Sequence, residues 1–525
     1  MKKILFTFLA ITLVFTTSCK KEQPEKPLVI VNPVLAGDRP DPTIIKIGDT
    51  YWASATSNEW SPLFPIFKST DMVNWELVSY VFPDGAPDWA LNNFWAPELH
   101  YDAKQKKVYI YYTARVKATN QLCVAVASAD TPDGKYTDHG VLVNQEAGSI
   151  DAFEVTDENG KIYLTWKEDG NSMGRATPIW AQEINPERTK LLGEPVELFR
   201  NDESNDSSWE RWLIEGVCIF KKGDFYYATY SGGSCCDKGC NYKTGVARSK
   251  NVLGPWEKYD KNPILTDNAD WKCSGHGTVV PYGDDLYMLY HAYNTTGDVY
   301  VGRQGVLEKI EWTEDNWPVF KNNAKYDRKA ESLDFIDTFE ADKLNPVWQW
   351  RVTQKIDYQT GKDGLKLKSS TENQQIGTLL VQQTKSLDYS LVAEIDILNS
   401  GKDAASGIAL VGGADNGFGA PLAAVGITVK DGKVEVWRNA ASNIEKLGEE
   451  TIDAASMFIK LEMKVSKGYL LTFSVIEGED GVSKEIVKDY DASPYVPWGM
   501  GFRFGLVSKG DGGNSVFKNI RLSNN

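Results

Sequence analysis

The sequence predicts an all-β protein in which a five-bladed β-propeller precedes a β-sandwich. Three observations support this prediction. A pattern of strand, tight turn and aromatic-rich strand recurs five times in the first 320 residues. A period of this length is typical of propeller blades. From Leu333 onward, short alternating strands are separated by Gly and Asp turns, which is the pattern of a β-sandwich.

Each copy of the repeat begins with an acidic residue or a histidine. The first residues of the copies are Asp41, Glu98, Asp151, Glu215 and His276, at spacings of 57, 53, 64 and 61 residues. Turn cores such as Gly48-Asp49 and Asn159-Gly160 favour hairpins, because Gly and Asn tolerate a positive φ. A weaker second hairpin follows three of the copies and predicts four-stranded blades.

The leading residues of the copies are expected to meet at one end of the propeller axis, because the first strand of a blade is the innermost one. Carboxylates seldom occupy enclosed places unless they are paired or used, since removing a charge from water is costly. A ring of acids in a pocket therefore indicates a functional site. The alternative is that these acids only bind blade backbones or a bound cation.

The composition limits the classes of partner. A net charge of −15, spread along the chain, argues against nucleic acid and anionic membrane surfaces. The chain has 17 Trp and 24 Tyr, whose flat faces suit sugar rings as well as protein cores.

The N-terminal residues predict export. Residues 1–18 read as a signal peptide, in which the apolar run is too short to span a bilayer. The sequence Thr-Thr-Ser before Cys19 resembles a loose lipobox. We therefore expect residues 19–32 to form a lipidated tether to the outer membrane, on its periplasmic or cell-surface face. An ordinary signal peptide with an incidental Cys is the alternative.

The cysteines of the segment SGGSCCDKGC lack the paired C-x-x-C spacing of a structural zinc site. Because an exported protein can form disulfides, we expect at least one within the set Cys218, Cys235, Cys236, Cys240 and Cys273.

The motifs around the five leading residues, taken together, resemble glycoside hydrolase family 43. They are DRPDPTI, FWAPELHYD, GSIDAFEV, LIEGVCIF and SGHGTVV, and the resemblance covers residues 33–325. It implies a five-bladed propeller and an inverting glycosidase. By position, Asp41 would be the general base, Glu215 the general acid, and Asp151 the residue that orients the acid and tunes its pKa. This chemistry needs one carboxyl that holds a proton and another that stays ionised.

The resemblance assigns further pocket residues less firmly. Trp95 would stack on a sugar or be a buried blade aromatic. His276 would hold a structural Ca²⁺ or its waters at the axis, or be a hydrogen-bonded core residue. Arg303 would bind a sugar hydroxyl or steer the carboxylates, or be a solvated strand residue. No cofactor is required for the reaction, and Glu98 receives no catalytic role.

The C-terminal part, residues 333–525, follows a polar linker at residues 321–332. Its opening FIDTFEADKLNPVWQWR resembles the concanavalin-like jelly roll that follows many propellers of this family. Such a domain would bind glycan, close one side of the catalytic pocket with a loop, or serve as a scaffold.

The resemblance implies an exo-glycosidase that removes terminal arabinofuranosyl or xylosyl residues from plant oligo- or polysaccharides. Two rivals stay open at this point. One is release of galactose or galactofuranose, including exo-galactanase activity, by a propeller of the same family. The other is a non-catalytic glycan-binding lipoprotein, which loss of a central acid would favour; all three acids are present.

Overall fold

The computed structural model describes residues 28–327, 334–415, 419–453, 458–478 and 481–524. The predicted signal peptide and Cys19 lie outside these residues. Besides strands, the described chain has 3-10 helices at Gly170–Met173, Asp298–Tyr300 and Ser493–Tyr495, and a short helical turn at Glu372–Gln375. Within this described part, no helix has both the length and the apolar character needed to cross a bilayer.

The first four predicted blades are four-stranded antiparallel sheets. Over the first two, the chain forms β1 (Thr43–Ile47), β2 (Thr50–Ser54), β3 (Trp60–Ser61), β4 (Leu63–Ser69), β5 (Glu76–Phe82), β6 (Trp95–Asp102), β7 (Lys107–Arg115), β8 (Leu122–Ala129) and β9 (Thr137–Val143), of which the short β3 belongs to neither blade sheet. Those of the next two are β10 (Ser149–Thr156), β11 (Ile162–Glu168), β12 (Ile179–Ile184), β13 (Leu191–Phe199), β14 (Ile214–Lys222), β15 (Phe225–Gly232), β16 (Lys243–Ser249) and β17 (Glu257–Lys258). The sheet orders are β1-β2-β4-β5, β6-β7-β8-β9, β10-β11-β12-β13 and β14-β15-β16-β17. At the predicted turns, Gly48 and Gly160 have φ of 60° and 80°.

The fifth blade departs from the four-stranded expectation. It contains β18 (Trp271–Tyr282), β19 (Asp285–Asn294) and β20 (Gln304–Lys309), and a hairpin of β21 (Glu311–Trp312) and β22 (Pro318–Val319) follows it. The N-terminal segment borders β20, where Leu35 and Gly305 exchange backbone hydrogen bonds of 3.2 and 2.9 Å. The start of the chain therefore joins the last blade to the first and closes the ring.

The inner strands form a closed circle. Strands β1, β6, β10, β14 and β18 each contact the next, and β18 contacts β1. Apolar side chains fill the space between neighbouring blades; Phe64 and Tyr112, for example, pack between the first and second. The predicted five-bladed propeller is confirmed.

The C-terminal part forms two facing sheets. Its strands are β23 (Phe335–Asp337), β24 (Trp350–Arg351), β25 (Tyr358–Gln359), β26 (Leu365–Lys368), β27 (Thr378–Gln383), β28 (Tyr389–Asp396), β29 (Ala405–Gly413), β30 (Leu422–Lys430), β31 (Lys433–Ala440), β32 (Asn443–Thr451), β33 (Phe458–Ser466), β34 (Leu470–Glu477), β35 (Lys484–Asp491), β36 (Arg503–Lys509) and β37 (Asn514–Asn524). One sheet has the order β25-β26-β37-β28-β33-β34-β35, with β23 on β37; the other has β27-β36-β29-β30-β31-β32. Leu391, Ile408 and Leu506 are buried in the core they share, which confirms the predicted sandwich.

The sandwich is packed against the propeller. Strand β24 pairs with β3 of the propeller. A buried ion pair joins Arg503 to Asp38 at 2.9 Å between Nη2 and Oδ2. The sandwich core also includes Tyr293 and Cys273 of the fifth blade. The two domains therefore share an interface that can position sandwich residues at the propeller mouth. The residue at which one domain ends and the other begins stays a prediction, because 328–333 lie outside the described residues.

Candidate active site

A two-residue bulge interrupts the inner strand of each blade near its start. The register of β6, β10, β14 and β18 shifts there, and the segment before β1 has the matching geometry. The first bulge residue has a positive φ in every blade: Asp41 (52°), Ala96 (44°), Asp151 (57°), Gly216 (62°) and His276 (44°). These five positions, here called the bulge layer, are the true equivalents around the axis. Bulges of this kind re-aim side chains next to active sites.

The prediction that all five leading residues are equivalent is wrong for two of them. Glu98 lies two residues beyond Ala96, and Glu215 lies one residue before Gly216. The bulge adds backbone that the hairpin pattern does not show. Aligning the copies by that pattern therefore matches residues that are not structurally equivalent in these two blades. Only the residue immediately before the bulge or the first residue within it can face the mouth.

Glu98 belongs instead to the next layer along the axis. This lower layer consists of the residues that follow each bulge: Thr43, Glu98, Phe153, Cys218 and Thr278. Burial raises the pKa of the Glu98 carboxyl to about 8, although hydroxyls of Thr43 and Thr278 oppose this. The Thr278 hydroxyl donates to Glu98 Oε2 at 3.1 Å. Glu98 is not among the residues that line the mouth, in keeping with the absence of a catalytic role in the sequence interpretation.

Three residues of the bulge layer, Asp41, Asp151 and His276, line a cavity of about 340 Å³. All six residues predicted for the site line it: Asp41, Trp95, Asp151, Glu215, His276 and Arg303. This volume lies at the small end of the range for ligand pockets, about 300–1,000 Å³. The structure thus brings the predicted residues together, while the role of each stays a prediction.

Asp41 lies among cationic and hydrogen-bonding groups. Its Oδ1 is 3.1 Å from Arg303 Nη1 and 3.1 Å from His291 Nδ1, and the Thr56 hydroxyl donates to its Oδ2 at 2.6 Å. Burial by itself raises the pKa of Asp41, but Arg303, His276 and His291 outweigh it and hold the pKa well below its usual range. Asp41 is therefore ionised and held in one orientation, as a proton acceptor must be.

Asp151 has the opposite protonation behaviour. Burial raises the pKa of its carboxyl to about 7; His276 lowers it, and the charge of Glu215 raises it further. Its Oδ2 accepts the backbone N–H of Gly216 at 3.1 Å. His276 Nδ1 lies 3.9 Å from this oxygen and 3.5 Å from Asp41 Oδ1, so one imidazole nitrogen faces both carboxyls.

Glu215 is held by a buried lysine and a tyrosine. Lys167 Nζ lies 2.7 Å from its Oε2, and the Tyr242 hydroxyl donates to its Oε1 at 2.9 Å. Burial acts to raise the pKa of Glu215, but the Lys167 ammonium outweighs this and the pKa is lowered. Of these two carboxyls, Asp151 is therefore the one that retains the proton. The resemblance alone implied the reverse, with the proton on Glu215.

The sequence interpretation missed Lys167 and His291, although the repeat contains a signal for both. In four of the blades, a residue in or just after the second strand accepts the N–H of the next blade's bulge. Thr56 binds Ala96, Thr113 binds Asp151, Ser231 binds His276 and His291 binds Asp41, at 2.7–3.3 Å. Lys167 occupies this position in the third blade and has no acceptor atom. Hydroxyl side chains occupy this position in three blades, so the lysine and the histidine are the two residues that depart from the repeat.

Two disulfides stabilise the loop beside Glu215. Cys235 bonds to its neighbour Cys236, and Cys240 bonds to Cys273 of β18. The prediction of a disulfide in this set is confirmed, and Cys218 is a buried free thiol. Cys235 and Cys236 both line the cavity, so the disulfide between them forms part of its wall.

Comparison with known proteins agrees with this geometry. The family model described as glycosyl hydrolases family 43 matches residues 30–318, more than half of the chain. The chain belongs to glycosyl hydrolase family 43.

Relatives within family 43 include enzymes named for two sugars. The chain is 29% identical over 320 residues to a beta-xylosidase of Bacillus subtilis, which is 55% of this chain and 56% of that protein. It is 25% identical over 306 residues to the extracellular exo-alpha-(1->5)-L-arabinofuranosidase ArbA of Cellvibrio japonicus, which is 53% and 85% of the two chains. The chain spans little more than half the length of the beta-xylosidase.

Solved family 43 structures have the same two-domain fold. A xylan beta-1,4-xylosidase from Bacillus halodurans C-125 superposes with a TM-score of 0.75 at 18% identity, over 94% of this chain and all of that one. The GH43 BlXynB protein from Bacillus licheniformis superposes with a TM-score of 0.73 at 22% identity, over 94% and 100%.

The sandwich of this family 43 chain contributes to the cavity. Trp498 lies in its lining. The neighbouring Gly499 carbonyl accepts a hydrogen bond from Arg303 Nη2 at 3.1 Å, and Arg303 Nη1 binds Asp41. The segment at 497–501 therefore closes one side of the mouth and helps to hold the arginine that keeps Asp41 ionised. This is the closing loop, one of the three roles considered for the domain.

The predicted axial cation finds no direct ligand set in the described residues. In that part of the chain, no group of three or more His, Cys, Asp or Glu side chains is arranged to hold a metal ion. A Ca²⁺ bound by His276 through water stays a prediction.

Proposed function

We propose that this chain hydrolyses terminal xylosyl or arabinofuranosyl residues of plant polysaccharides, with inversion at the anomeric carbon. The observation that carries the proposal is the pairing of an ionised Asp41 with a carboxyl pair that retains a proton, around one cavity of small-ligand size. The names of the family relatives support these two sugars.

The proposed reaction has one step. A water oxygen attacks the anomeric carbon while Asp41 accepts a proton from that water. The bond between the anomeric carbon and the glycosidic oxygen breaks, and Glu215 gives its proton to the departing oxygen. Both protons are accounted for, and the sugar leaves with the opposite anomeric configuration.

Asp151 and Lys167 would control the proton on Glu215. The Asp151–Glu215 pair holds one proton up to about neutral pH, according to the pKa of about 7 for Asp151. A glycosidic oxygen bound beside Glu215 favours the protonated form of Glu215, because that form donates a hydrogen bond to it. The proton then resides on Glu215 when the glycosidic bond breaks.

The test is a screen of aryl glycosides of xylose, arabinofuranose, galactose and galactofuranose, with proton NMR of the first product formed. We expect hydrolysis of the first two and an inverted anomer. Glu98→Gln is the matched control, because Glu98 is a buried axial acid outside the cavity; we expect its kcat/KM to stay within about threefold of wild type. A retained anomer would remove the water-activating role from Asp41.

We also propose that the chain is exported and anchored to the outer membrane by lipid on Cys19. The lipobox-like sequence before Cys19 supports this. Labelling with radioactive palmitate in a bacterial host should mark the wild type and not Cys19→Ser. Equal labelling of both would reject the anchor.

A structural Ca²⁺ near His276 is proposed as a stabilising ion. His276 Nδ1 faces the carboxyl groups of both Asp41 and Asp151, and a cation bound near this ring would interact favourably with their oxygens. Chelation by EDTA should lower the Tm, and added Ca²⁺ should restore it. No change in Tm on chelation or on addition of Ca²⁺ would argue against a bound ion.

A further inference from the structure

A second cavity adjoins the catalytic one, between the first two blades and the sandwich. Its volume is about 470 Å³, larger than that of the catalytic cavity. The two share four lining residues, Asn58, Trp95, Arg115 and Trp498. A sugar chain whose terminal unit occupies the catalytic cavity can therefore continue into this space, here called the interdomain groove.

The groove has the polar lining of a saccharide site. Side-chain amides come from Asn58, Asn92, Asn93 and Asn120. The Asn92 Oδ1 atom is enclosed and has no hydrogen-bond partner in the described structure. Side-chain amides both donate and accept hydrogen bonds, as the hydroxyls of a sugar require.

The charge of the groove is opposite to that of the whole chain. Two arginines and one glutamate line it, whereas the chain as a whole has a net charge of −15. Glu59 lies 3.9 Å from Arg351, and burial raises the pKa of Glu59. Arg351 therefore has a carboxylate partner in Glu59, at the long end of the ion-pair range.

Arg115 lies where the groove meets the catalytic cavity and is bound by neutral groups. Its Nε donates to Asn93 Oδ1 at 2.8 Å, and its Nη1 donates to the Asn120 carbonyl at 2.5 Å. Asp169 and Glu59 act on its charge electrostatically, but neither carboxylate forms an ion pair with it. These contacts orient the side chain and leave its positive charge uncompensated by a direct partner.

We propose that the interdomain groove binds the leaving side of the substrate, and that Arg115 and Arg351 select a saccharide that has a uronic acid there. The inference rests on the proposed function and adds the substrate class. Arg is suited to this task because its planar guanidinium matches a carboxylate with two parallel hydrogen bonds. Glucuronate branches and galacturonate units both present this carboxylate.

The test compares kcat/KM on oligosaccharides that have the same cleavable terminal sugar. One is neutral, one has a glucuronic acid on the leaving side, and one has a galacturonic acid there. We expect a preference of about tenfold for a uronate substrate at low salt, which is the size of a charge-assisted hydrogen bond. The preference should decline as the salt concentration rises. The substrate that shows it identifies the source of the carboxylate.

Two variants locate the effect. Arg115→Gln and Arg351→Gln should each lower the ratio of kcat/KM on uronate and neutral substrates towards one. The matched control is Arg200→Gln, an exposed arginine outside both cavities that is paired with Glu197; it should keep the wild-type preference. Because the readout is a ratio between substrates, it does not depend on the fraction of folded enzyme.

Equal rates on neutral and uronate substrates, or a preference that both variants retain, would overturn the inference. Failure of the proposed function is a separate result: neither the aryl xyloside nor the aryl arabinofuranoside would then be hydrolysed. An enzyme active on aryl xylosides but indifferent to uronate would keep the function and lose only the groove assignment.

Discussion

Asp41 in the bulge layer and Glu98 in the lower layer are both carboxyls enclosed at the propeller axis, yet their pKa values shift in opposite directions. Arg303 and two histidines surround Asp41 and hold its pKa well below the usual value. Glu98 lies beside the hydroxyls of Thr43 and Thr278, and burial raises its pKa to about 8. The difference teaches that burial alone does not mark a catalytic acid; the charged groups around it decide whether it can accept a proton at neutral pH.

The largest expected difference between the bulge layer and the lower layer is in kcat. Asp41→Asn should lower kcat by about 10³-fold on every substrate, because water must be activated whatever group departs. Stopped assays with dinitrophenyl and natural glycosides would measure this, with circular dichroism to establish folding. Near-wild-type turnover by folded Asp41→Asn would remove the functional difference between the two layers.

The second contrast concerns the leaving group. Glu215→Ala should lose about 10²–10⁴-fold on natural sugar–sugar linkages and far less on dinitrophenyl glycosides, because dinitrophenolate departs without protonation. Asp151→Ala should resemble a weaker form of this defect. The ratio of kcat/KM on the two substrate types is the readout. If Asp41→Ala and Glu215→Ala depend on the leaving group in the same way, the acid and base assignments are wrong.

A smaller effect is expected from replacing Lys167, the cation beside Glu215. Lys167→Thr gives the third blade the residue type found at this position in the first two. Removal of the ammonium should raise the pKa of Glu215, so the alkaline limb of kcat/KM should move up by about one pH unit. Profiles from pH 5 to 9 would measure it. Lys161→Thr, an exposed lysine of the same hairpin, is the control. A lower rate without a shifted limb would mean that Lys167 only supports the fold.

The smallest effect concerns stability. The folded state keeps the proton of Glu98 up to about pH 8, whereas an unfolded Glu loses it near pH 4.3. Between these values the folded protein binds more protons, so this group lowers stability as pH rises, by at most about 1.4 kcal/mol per pH unit. Glu98→Gln should therefore gain Tm relative to wild type from pH 5 to pH 8. A constant Tm difference would show that Glu98 is not protonated.

Much of the fold and site followed from local patterns. Hairpin turns repeat because Gly tolerates a positive φ, and an aromatic-rich strand follows each turn, so five blades and their order could be inferred. The motifs around Asp41, Asp151 and Glu215 named the residues that line the cavity. These features lie within stretches of about ten residues, where sequence and backbone conformation are closely linked.

The remaining features depend on residues that are distant in sequence. The bulges shift Glu98 and Glu215 out of equivalence, because register is set by pairing with the second strand of the hairpin. Lys167 comes to Glu215 from another blade, and Trp498 reaches the mouth from the other domain. Motifs identify which carboxyls gather at the axis, but only three-dimensional packing determines which cation lies beside each, and electrostatic interaction depends on that distance.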